Sequence, residues 1–191
     1  VITGFGRTGK WFALSHWDVV PDIVQFAKAI TSGYFPLGGI GISDEIARVL
    51  DEAQVPWMHA YTYSAHPAGC AVALRALQII EDENLVAEAS RKGTRLIDVL
   101  RVSLAHHPHV GEIRGKGLMC AVEFVKDRET RQPFPPEEQV GARIHAESQA
   151  RGLFSRVRGD VFVLAPPLIT PDDLVDRIGE ILATATKAVL G

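Results

Sequence analysis

Lys28 is the residue of this sequence best placed for covalent chemistry. It follows the apolar run of residues 21–27 and precedes a loop rich in Gly and Pro. An amine that loses its water at such a position becomes the nucleophile that carbonyl chemistry requires. The alternative is a lysine at the end of a strand whose amine simply reaches water, and this stretch alone leaves both interpretations open.

Residues 59–67, with the sequence HAYTYSAHP, could bind an anion. They precede a predicted helix, and backbone N–H groups at a helix start attract phosphate, to which Thr62 or Ser64 could add a hydroxyl. The alternative is an ordinary polar loop that caps the helix. His59 and His66 are interpreted as loop or hydrogen-bonding residues rather than metal ligands.

Three arginines could hold a carboxylate. Arg114, and Arg156 with Arg158, lie in predicted strands, and a guanidinium binds a carboxylate through two parallel hydrogen bonds. Alternate residues of a strand face the same side of a sheet, so Arg156 and Arg158 share a face. Ordinary surface charge is the alternative interpretation for each of the three.

The glycine-rich segment TGFGRTGK near the start of the chain fits two phosphate-binding motifs. Gly4, Gly6 and Gly9 match the dinucleotide motif G-x-G-x-x-G, and the stretch ending at Lys10 matches most of a P-loop. Both motifs need a helix immediately afterwards, and the P-loop needs Ser or Thr where Trp11 stands. We therefore expect a tight, irregular loop in which glycine supplies positive φ, rather than a nucleotide site.

The composition is that of an ordinary folded domain. The 191 residues are 47% hydrophobic and 23% charged, with a net charge of -3, which gives no reason to expect nucleic acid as a partner. No apolar run has membrane-spanning length, and the His-rich residues 105–110 lack a fourth metal ligand. We therefore expect neither a membrane nor a metal partner. Cys70 and Cys120 lie far apart without metal spacing, which fits the reducing cytoplasm, and both are expected in the core.

Periodicity and turn residues predict the order of the elements. Helices are expected at residues 43–53, 67–82, 84–105, 136–152 and 170–190. Strands are expected at residues 1–6, 21–30 and 110–125, as a short strand within 32–43, and as a hairpin over 153–167. The last helix is expected to have Thr170 as its N-cap and Pro171 as its first residue.

These elements predict an α/β chain made of two parts. Residues 85–191 form a compact α+β unit, whereas residues 1–84 have the pattern of part of another domain. The first residues, VITGFG, predict a strand that is already under way, so we expect the chain to be a piece of a longer protein.

Several segments, in order along nearly the whole chain, resemble the class III pyridoxal-phosphate-dependent aminotransferases of fold type I. VITGFGRTGKWFA is similar to that family's glycine-loop segment, and PDIVQFAKAITSGYFPLGG to its cofactor-lysine segment. HAYTYSAHPAGCAVAL resembles the segment H-G-x-T-[FY]-S-G-x-P, with Ala60 and Ala65 where glycine is usual. IRGKGLM and LAPPLIT resemble the family's small-domain strands.

The resemblance implies the C-terminal part of the fold type I large domain at residues 1–84 and the small C-terminal α+β domain at residues 85–191. Lys28 takes the position that forms the Schiff base with the cofactor, pyridoxal 5'-phosphate, and acts as base and acid in the proton shift. Thr62 takes the position that binds the cofactor phosphate across a dimer interface. A homodimer with shared active sites is therefore implied as well.

The resemblance also implies a small amine donor and a 2-oxo acid acceptor as substrates. Relatives that act on ornithine or 4-aminobutyrate often carry Arg where this chain has Val163, whereas those that pair ω-amines or β-alanine with pyruvate have a mobile Arg at the position of Arg156. YTYSAHP is similar to the YTYSGHP of the second group. We therefore expect an ω-amine:pyruvate transaminase, in which Arg156 pairs with the carboxylate of pyruvate or alanine and swings out for apolar amines.

Two alternatives remain open from the sequence. A decarboxylase or an aminomutase of the same fold would use the same cofactor. In the family, the aspartate that pairs with the pyridine nitrogen falls two positions before Val1. The isolated chain is therefore expected to be weakly active or inactive, and it could act only as a folded oligomerisation module.

Overall fold

The computed structural model describes residues 1–54, 58 and 60–191. They form two compact units, Val1–Val86 and Ala87–Gly191, named unit 1 and unit 2. The helices are α1 (Asp44–Glu52), α2 (Pro67–Asp82), α3 (Leu85–Leu104), α4 (Val140–Ala150) and α5 (Asp172–Leu190). The strands are β1 (Ile23–Phe26), β2 (Gly39–Ile42), β3 (Val110–Lys116), β4 (Met119–Phe124), β5 (Arg156–Arg158) and β6 (Val161–Leu164). Single 3-10 turns cover Ala13–His16, Lys28–Thr31 and Pro136–Glu138.

Unit 1 is built on a two-stranded antiparallel sheet and the helices α1 and α2. In the β1–β2 pair, Phe26 lies opposite Gly39, and a Cβ at position 39 would come within 2.6 Å of the Phe26 ring. The glycine is therefore required for this ring to cover the neighbouring strand. α1 begins after Ser43, whose hydroxyl accepts a hydrogen bond from the Ile46 N–H at 3.4 Å.

Unit 2 is a four-stranded antiparallel sheet, in the order β3–β4–β6–β5, with helices α3, α4 and α5. Alternate residues of β4 and β6 are buried, as a sheet with one covered face requires. Phe124 and Phe162 are the largest fully buried side chains. They belong to one core cluster together with residues of all three helices, including Leu96, Ile144 and Leu182.

Helices α3 and α5 of unit 2 are joined by charged pairs as well as by apolar packing. Arg91 donates two hydrogen bonds of 2.8 Å to Asp172, and Arg95 donates to Asp176 at 2.7 and 2.6 Å. Gly179 lets the helices approach closely, since a Cβ there would lie 2.3 Å from a methyl group of the Val99 side chain.

Most predicted elements are confirmed. The helix predicted at 67–82 has those bounds in α2, the helix at 84–105 is α3, and Ser43 caps α1 as expected. The strand pair at 110–125 is β3 and β4, and the hairpin β5–β6 turns at Gly159 and Asp160. In these segments the local signals, a proline at a helix start and glycine at turns, agree with the packing.

Other predictions were wrong in detail. Residues 1–6 form an irregular segment with a turn at residues 4–6 rather than a strand, because a strand needs a ladder of hydrogen bonds and none of the described strands pairs with this segment. The run predicted as extended over 21–30 ends at Phe26. The helix predicted at 136–152 begins only at Val140, because Gln139 has a left-handed backbone with φ 46° that separates it from the preceding 3-10 turn.

The predicted cap of the last helix is shifted by one residue. α5 begins at Asp172 with Pro171 as its cap, and the Thr170 hydroxyl donates to the Pro167 carbonyl at 2.7 Å instead of capping the helix.

The prediction that both cysteines lie in the core holds only for Cys120, which is buried, whereas Cys70 is exposed. In the part of the chain that the structure describes, no helix is both long and apolar enough to cross a membrane.

Candidate active site

Lys28 opens the 3-10 turn that follows β1, and its side chain is exposed in this chain. The amine thus reaches water, as in the alternative interpretation left open from the sequence, and Lys28 lies two residues beyond the end of β1. Its backbone has φ 54°, a left-handed conformation that is uncommon for residues other than glycine and that persists where surrounding structure enforces it. No hydrogen bond or ion pair joins the Lys28 amine to any of the described residues, which leaves the amine available for chemistry.

The turn that carries Lys28 is anchored by the two residues at its end. Ile30 and Thr31 are buried, and the Thr31 hydroxyl donates to the Phe35 carbonyl at 2.6 Å. The Phe35 ring in turn packs on the start of α2, because a Cβ at Gly69 would lie only 2.8 Å from it. Sequence reasoning missed this support, and no local pattern around Thr31 indicates it.

Thr62 lies in the turn of residues 62–65 that precedes α2, and it is exposed. Within this turn the Ser64 hydroxyl accepts from the Tyr61 N–H at 3.0 Å, so the structure uses Ser64 to shape the loop. The Thr62 hydroxyl has no such bond to any described residue. Of the two hydroxyls nominated from the sequence, Thr62 is the one that remains available to a ligand.

The residues next to Thr62 explain part of the loop's shape. His66 caps α2, its ring Nδ1 accepting from the Ala68 N–H at 3.3 Å, which confirms the structural interpretation of this histidine. The His66 ring also lies 5.3 Å from the Phe35 ring, so the Thr62 loop and the Lys28 turn contact the same anchor. Ala65 has φ 55°, which accounts for the glycine that the resembled motif has there. His59 lies outside the described residues.

The glycine-rich loop folds onto itself rather than onto a ligand. Gly6 and Gly9 have φ 92° and 81°, as expected for glycines in a tight loop, and the Gly9 N–H donates to the Gly6 carbonyl at 2.9 Å. The Phe5 N–H donates to the Trp11 carbonyl at 2.6 Å. A 3-10 turn of four residues follows instead of a long helix, so this loop lacks the helix N-terminus on which both nucleotide motifs depend.

The three candidate arginines differ in their partners. Arg114 contacts the carboxylates of Glu112 and Glu123, and hydrogen bonding to Glu123 raises the pKa of the guanidinium. Its charge is therefore already balanced. Arg156 and Arg158 are exposed on β5 and form no hydrogen bond or ion pair with the described residues, which leaves them the better candidates for an anionic ligand.

The position of Arg156 can be compared with that of Val163, where the other resembled group of enzymes often carries arginine. Arg156 lies directly opposite Val163 in the β5–β6 register, and such cross-strand partners face the same side of a sheet with Cβ atoms roughly 5 Å apart. The two positions that distinguish the resembled groups of enzymes are therefore neighbours. An arginine on either strand would present its charge to the same region.

Taken together, the described residues of unit 1 leave one amine and one hydroxyl on anchored loops without a partner among themselves, which suits a ligand that carries both an aldehyde and a phosphate. The chain matches the family described as aminotransferase class-III over residues 1–186. It belongs to that family. Enzymes of this family use pyridoxal phosphate, and the predicted fold class, α/β with the fold of those enzymes, is confirmed by the solved structures that the chain resembles.

Curated relatives differ in the oxo acid that their names give. The diaminobutyrate–2-oxoglutarate transaminase of Halomonas elongata is 40% identical over 99% of this chain and 41% of its own length. The putrescine–pyruvate aminotransferase of Pseudomonas aeruginosa is 37% identical over 93% of this chain and 39% of its own length. The chain thus spans about two fifths of the length of these relatives.

Solved structures of transaminases resemble this chain over nearly its whole length. An (S)-enantioselective omega-transaminase from Thermomicrobium roseum superposes with a TM-score of 0.95 at 48% identity, covering 100% of this chain and 42% of that one. An aminotransferase from Vibrio fluvialis in its PMP-bound form superposes with a TM-score of 0.94 at 35% identity, over 99% of this chain and 42% of that one.

Pyridoxal phosphate fits the residues that unit 1 presents. Among the described residues, neither the Lys28 amine, on a turn fixed by Thr31, nor the Thr62 hydroxyl, beside the start of α2, has a hydrogen-bond partner. An aldehyde needs an amine without a competing ion pair, and a phosphate needs hydrogen-bond donors. Among the residues that the structure describes, no cluster of His, Cys, Asp and Glu is suited to a metal ion.

Proposed function

We propose that this chain is part of a pyridoxal-phosphate-dependent aminotransferase that moves an amino group from an ω-amine or amino acid to pyruvate or a similar 2-oxo acid. Unit 1 supplies the C-terminal part of the large cofactor domain, and unit 2 is the small C-terminal domain. The observation that carries the proposal is the Lys28 amine, which lies on an anchored turn and has no hydrogen-bond or ion-pair partner among the described residues. Membership of the class III family supports it.

Lys28 would hold the cofactor covalently through its amine until the amine of the donor displaces it, and the freed Lys28 amine would then carry the proton from the carbon that loses the amino group to the carbon of the cofactor. When bound, pyridoxal phosphate supplies the electron sink that makes this proton acidic. The anchoring of the turn by Thr31 keeps the amine in place while it acts alternately as base and acid. The left-handed backbone at Lys28 is consistent with this role, since strained backbone clusters at sites of chemistry.

Thr62 donates its hydroxyl to the cofactor phosphate across the interface of a homodimer. The apolar surface of unit 1 supports an interface there: Val20, Tyr34 and Tyr63 are each at least 80% exposed, and large exposed apolar areas mark interaction surfaces. Light scattering on the holoenzyme that contains this chain is expected to give twice the mass of one subunit. A monomer would contradict the shared site.

Arg156 binds the carboxylate of the acceptor. The Arg156 guanidinium can bind the one carboxylate of pyruvate through two parallel hydrogen bonds, and the putrescine–pyruvate relative uses that acceptor by its name. The Halomonas relative names 2-oxoglutarate instead, so the two acids are the informative pair of substrates. Greater kcat/KM with 2-oxoglutarate than with pyruvate would move the proposal to that acceptor.

A reducing, cytoplasmic setting is part of the proposal. Cys70 and Cys120 are both free thiols, as is usual for proteins of that compartment. Burial raises the pKa of the Cys120 thiol to about 12, which makes this cysteine an inert core residue rather than a reactive one.

The experiment that tests the proposal measures alanine formed from pyruvate by the holoenzyme with an amine donor. Alanine is expected in equal amount to the donor consumed, and Lys28→Ala is expected to lower kcat at least roughly 1000-fold because the base is lost. Lys10→Ala is the matched control and keeps its activity. Carbon dioxide release would indicate a decarboxylase, and an isomer of the donor formed without an oxo acid would indicate an aminomutase. If the enzyme forms no alanine, no carbon dioxide and no isomer of the donor, the remaining function for the chain is that of a folded oligomerisation module.

A further inference from the structure

The hairpin that carries Arg156 is fastened to α4 at two points. Near the turn, the Asp160 carboxylate accepts from the Gly141 N–H at 2.8 Å. Near the start of β5, the His145 Nε2 lies 3.1 Å from the Ser155 carbonyl oxygen. A carbonyl oxygen can only accept, so His145 carries its proton on Nε2 and donates to Ser155.

Ser155 is held on its other side as well. Its hydroxyl donates to the Val163 carbonyl on β6, so the residue directly before Arg156 is tied to a helix by its backbone and to a strand by its side chain. The His145 ring itself lies 6.0 Å from the buried Phe162 ring. The imidazole thus lies beside a ring of the core while its Nε2 faces the Ser155 carbonyl.

The consequence for Arg156 is a backbone that is held on both sides and a side chain that these contacts do not hold. Ser155 and Asp160 hold the strand on both sides of it, while its guanidinium has no hydrogen bond or ion pair among residues 1–54, 58 and 60–191. A substrate-dependent movement of this arginine therefore has to come from its side-chain rotations. A small displacement of the strand at Ser155 would also displace the Arg156 guanidinium, at the end of its long side chain.

We propose that His145 is a positioning residue for Arg156, and that it sets the preference of the enzyme for carboxylate-bearing substrates through the Ser155 carbonyl. The inference rests on the proposed function, in which Arg156 binds the acceptor carboxylate. His145 belongs to no motif in the sequence, and only the fold brings it to the start of β5.

The test compares three variants in the holoenzyme. His145→Leu removes the donor and is expected to raise KM for pyruvate roughly 5-fold, while kcat and the KM of an amine donor without a carboxylate change less than about 2-fold. His145→Gln keeps an N–H donor at similar reach and is expected to restore most of the pyruvate KM. Where His145→Leu does not fold, His145→Asn serves instead, since its amide is too short to reach the Ser155 carbonyl.

A double-mutant cycle with Arg156→Ala separates this inference from the proposed function. If His145 acts through Arg156, His145→Leu has no further effect on the pyruvate KM once Arg156 is alanine. Full additivity of the two effects overturns the positioning role, as does an equal change in the KM of every substrate. An Arg156→Ala enzyme with an unchanged pyruvate KM overturns the role of Arg156 itself, whatever His145→Leu does.

Discussion

The two units bury their apolar residues to very different degrees. All members of the large core cluster, from Leu96 to Ala185, belong to unit 2. Unit 1 buries few apolar side chains and exposes many large ones, with Val20 at 91% and Met58 at 87% exposed. Unit 2 therefore has its own core, whereas unit 1 depends on local anchors such as the Thr31 hydrogen bond and the contact of Phe35 with Gly69.

This difference matches the division of chemical roles that we propose. The residues assigned to the cofactor, Lys28 and Thr62, lie in the unit with many exposed apolar side chains, which suits a surface that is covered in an assembly. Arg156, assigned to the substrate, lies in the self-contained unit, on a hairpin held from two sides. Four substitutions break or sharpen this comparison.

Phe162→Ala is expected to have the largest effect on stability. The ring is fully buried in the unit 2 core, and its removal is expected to lower the free energy of unfolding by about 3–5 kcal/mol through lost burial and a cavity. Phe154→Ala, at a site 79% exposed in the same unit, is the matched control, with a change below about 0.5 kcal/mol. Urea unfolding measures both, and equal effects would contradict the proposed core.

Gly93→Ala is expected to have the next largest effect on stability. A Cβ on this residue of α3 would lie 2.1 Å from the Gly117 carbonyl oxygen at the β3–β4 turn, and because backbone cannot yield as a side chain can, we expect a loss of about 2–3 kcal/mol. Ser90→Ala, at an exposed position of the same helix, controls for helix propensity. A Gly93→Ala protein as stable as Ser90→Ala would show that α3 does not pack on that turn.

Ala65→Gly is expected to change stability in the opposite direction. Ala65 has φ 55° in the loop before α2, and relieving an alanine of the left-handed conformation is expected to raise the free energy of unfolding by roughly 0.5–1 kcal/mol. Ala60→Gly, in the same segment, is the control. Hydrogen exchange of the N–H groups at the start of α2 would report the gain locally, and faster exchange would contradict the left-handed backbone.

The smallest effect is expected from the charged pairs between α3 and α5. Hydrogen bonds from Arg91 and Arg95 lower the pKa values of Asp172 and Asp176, respectively. The two ion pairs therefore stabilise the folded protein fully at a pH above the ordinary carboxylate pKa of about 4. This stabilisation is lost as the pH falls through the lowered pKa values of the two aspartates. The pairs are exposed, so the effect is screened by salt. Asp172→Asn is expected to flatten the acid side of the stability profile, and an unchanged profile would contradict the pairing.

Local signals were sufficient for the long elements of the fold. Pro67 at a helix start and the apolar spacing that follows it predict α2 with its observed bounds, and Ser43 predicts the cap of α1. Both signals lie within a few residues of the structure they specify. The 3-10 turn at Lys28 could not be predicted in this way, because four residues carry no period and Phe35, which supports the turn, is placed by packing on α2.

The candidate site was predicted in the same uneven manner. Lys28, Thr62 and Arg156 were candidates from the local sequence, the resemblance to a family supplied their roles, and these roles remain predictions. The pairing of Arg114 with Glu123 depends on the β3–β4 register, which no local pattern specifies. His145 could not be identified either, because its partner at Ser155 lies ten residues away, beyond the end of its helix.

The measurement that most directly tests the central claim is the location of the covalent bond to the cofactor. The holoenzyme that contains this chain is reduced with borohydride, digested and analysed by peptide mass spectrometry, with Lys28→Ala and Lys10→Ala in parallel. We predict a pyridoxyl group on the peptide that contains Lys28, retained in Lys10→Ala and absent from Lys28→Ala. A pyridoxyl group on another lysine, or one that persists in Lys28→Ala, would contradict the assignment of Lys28.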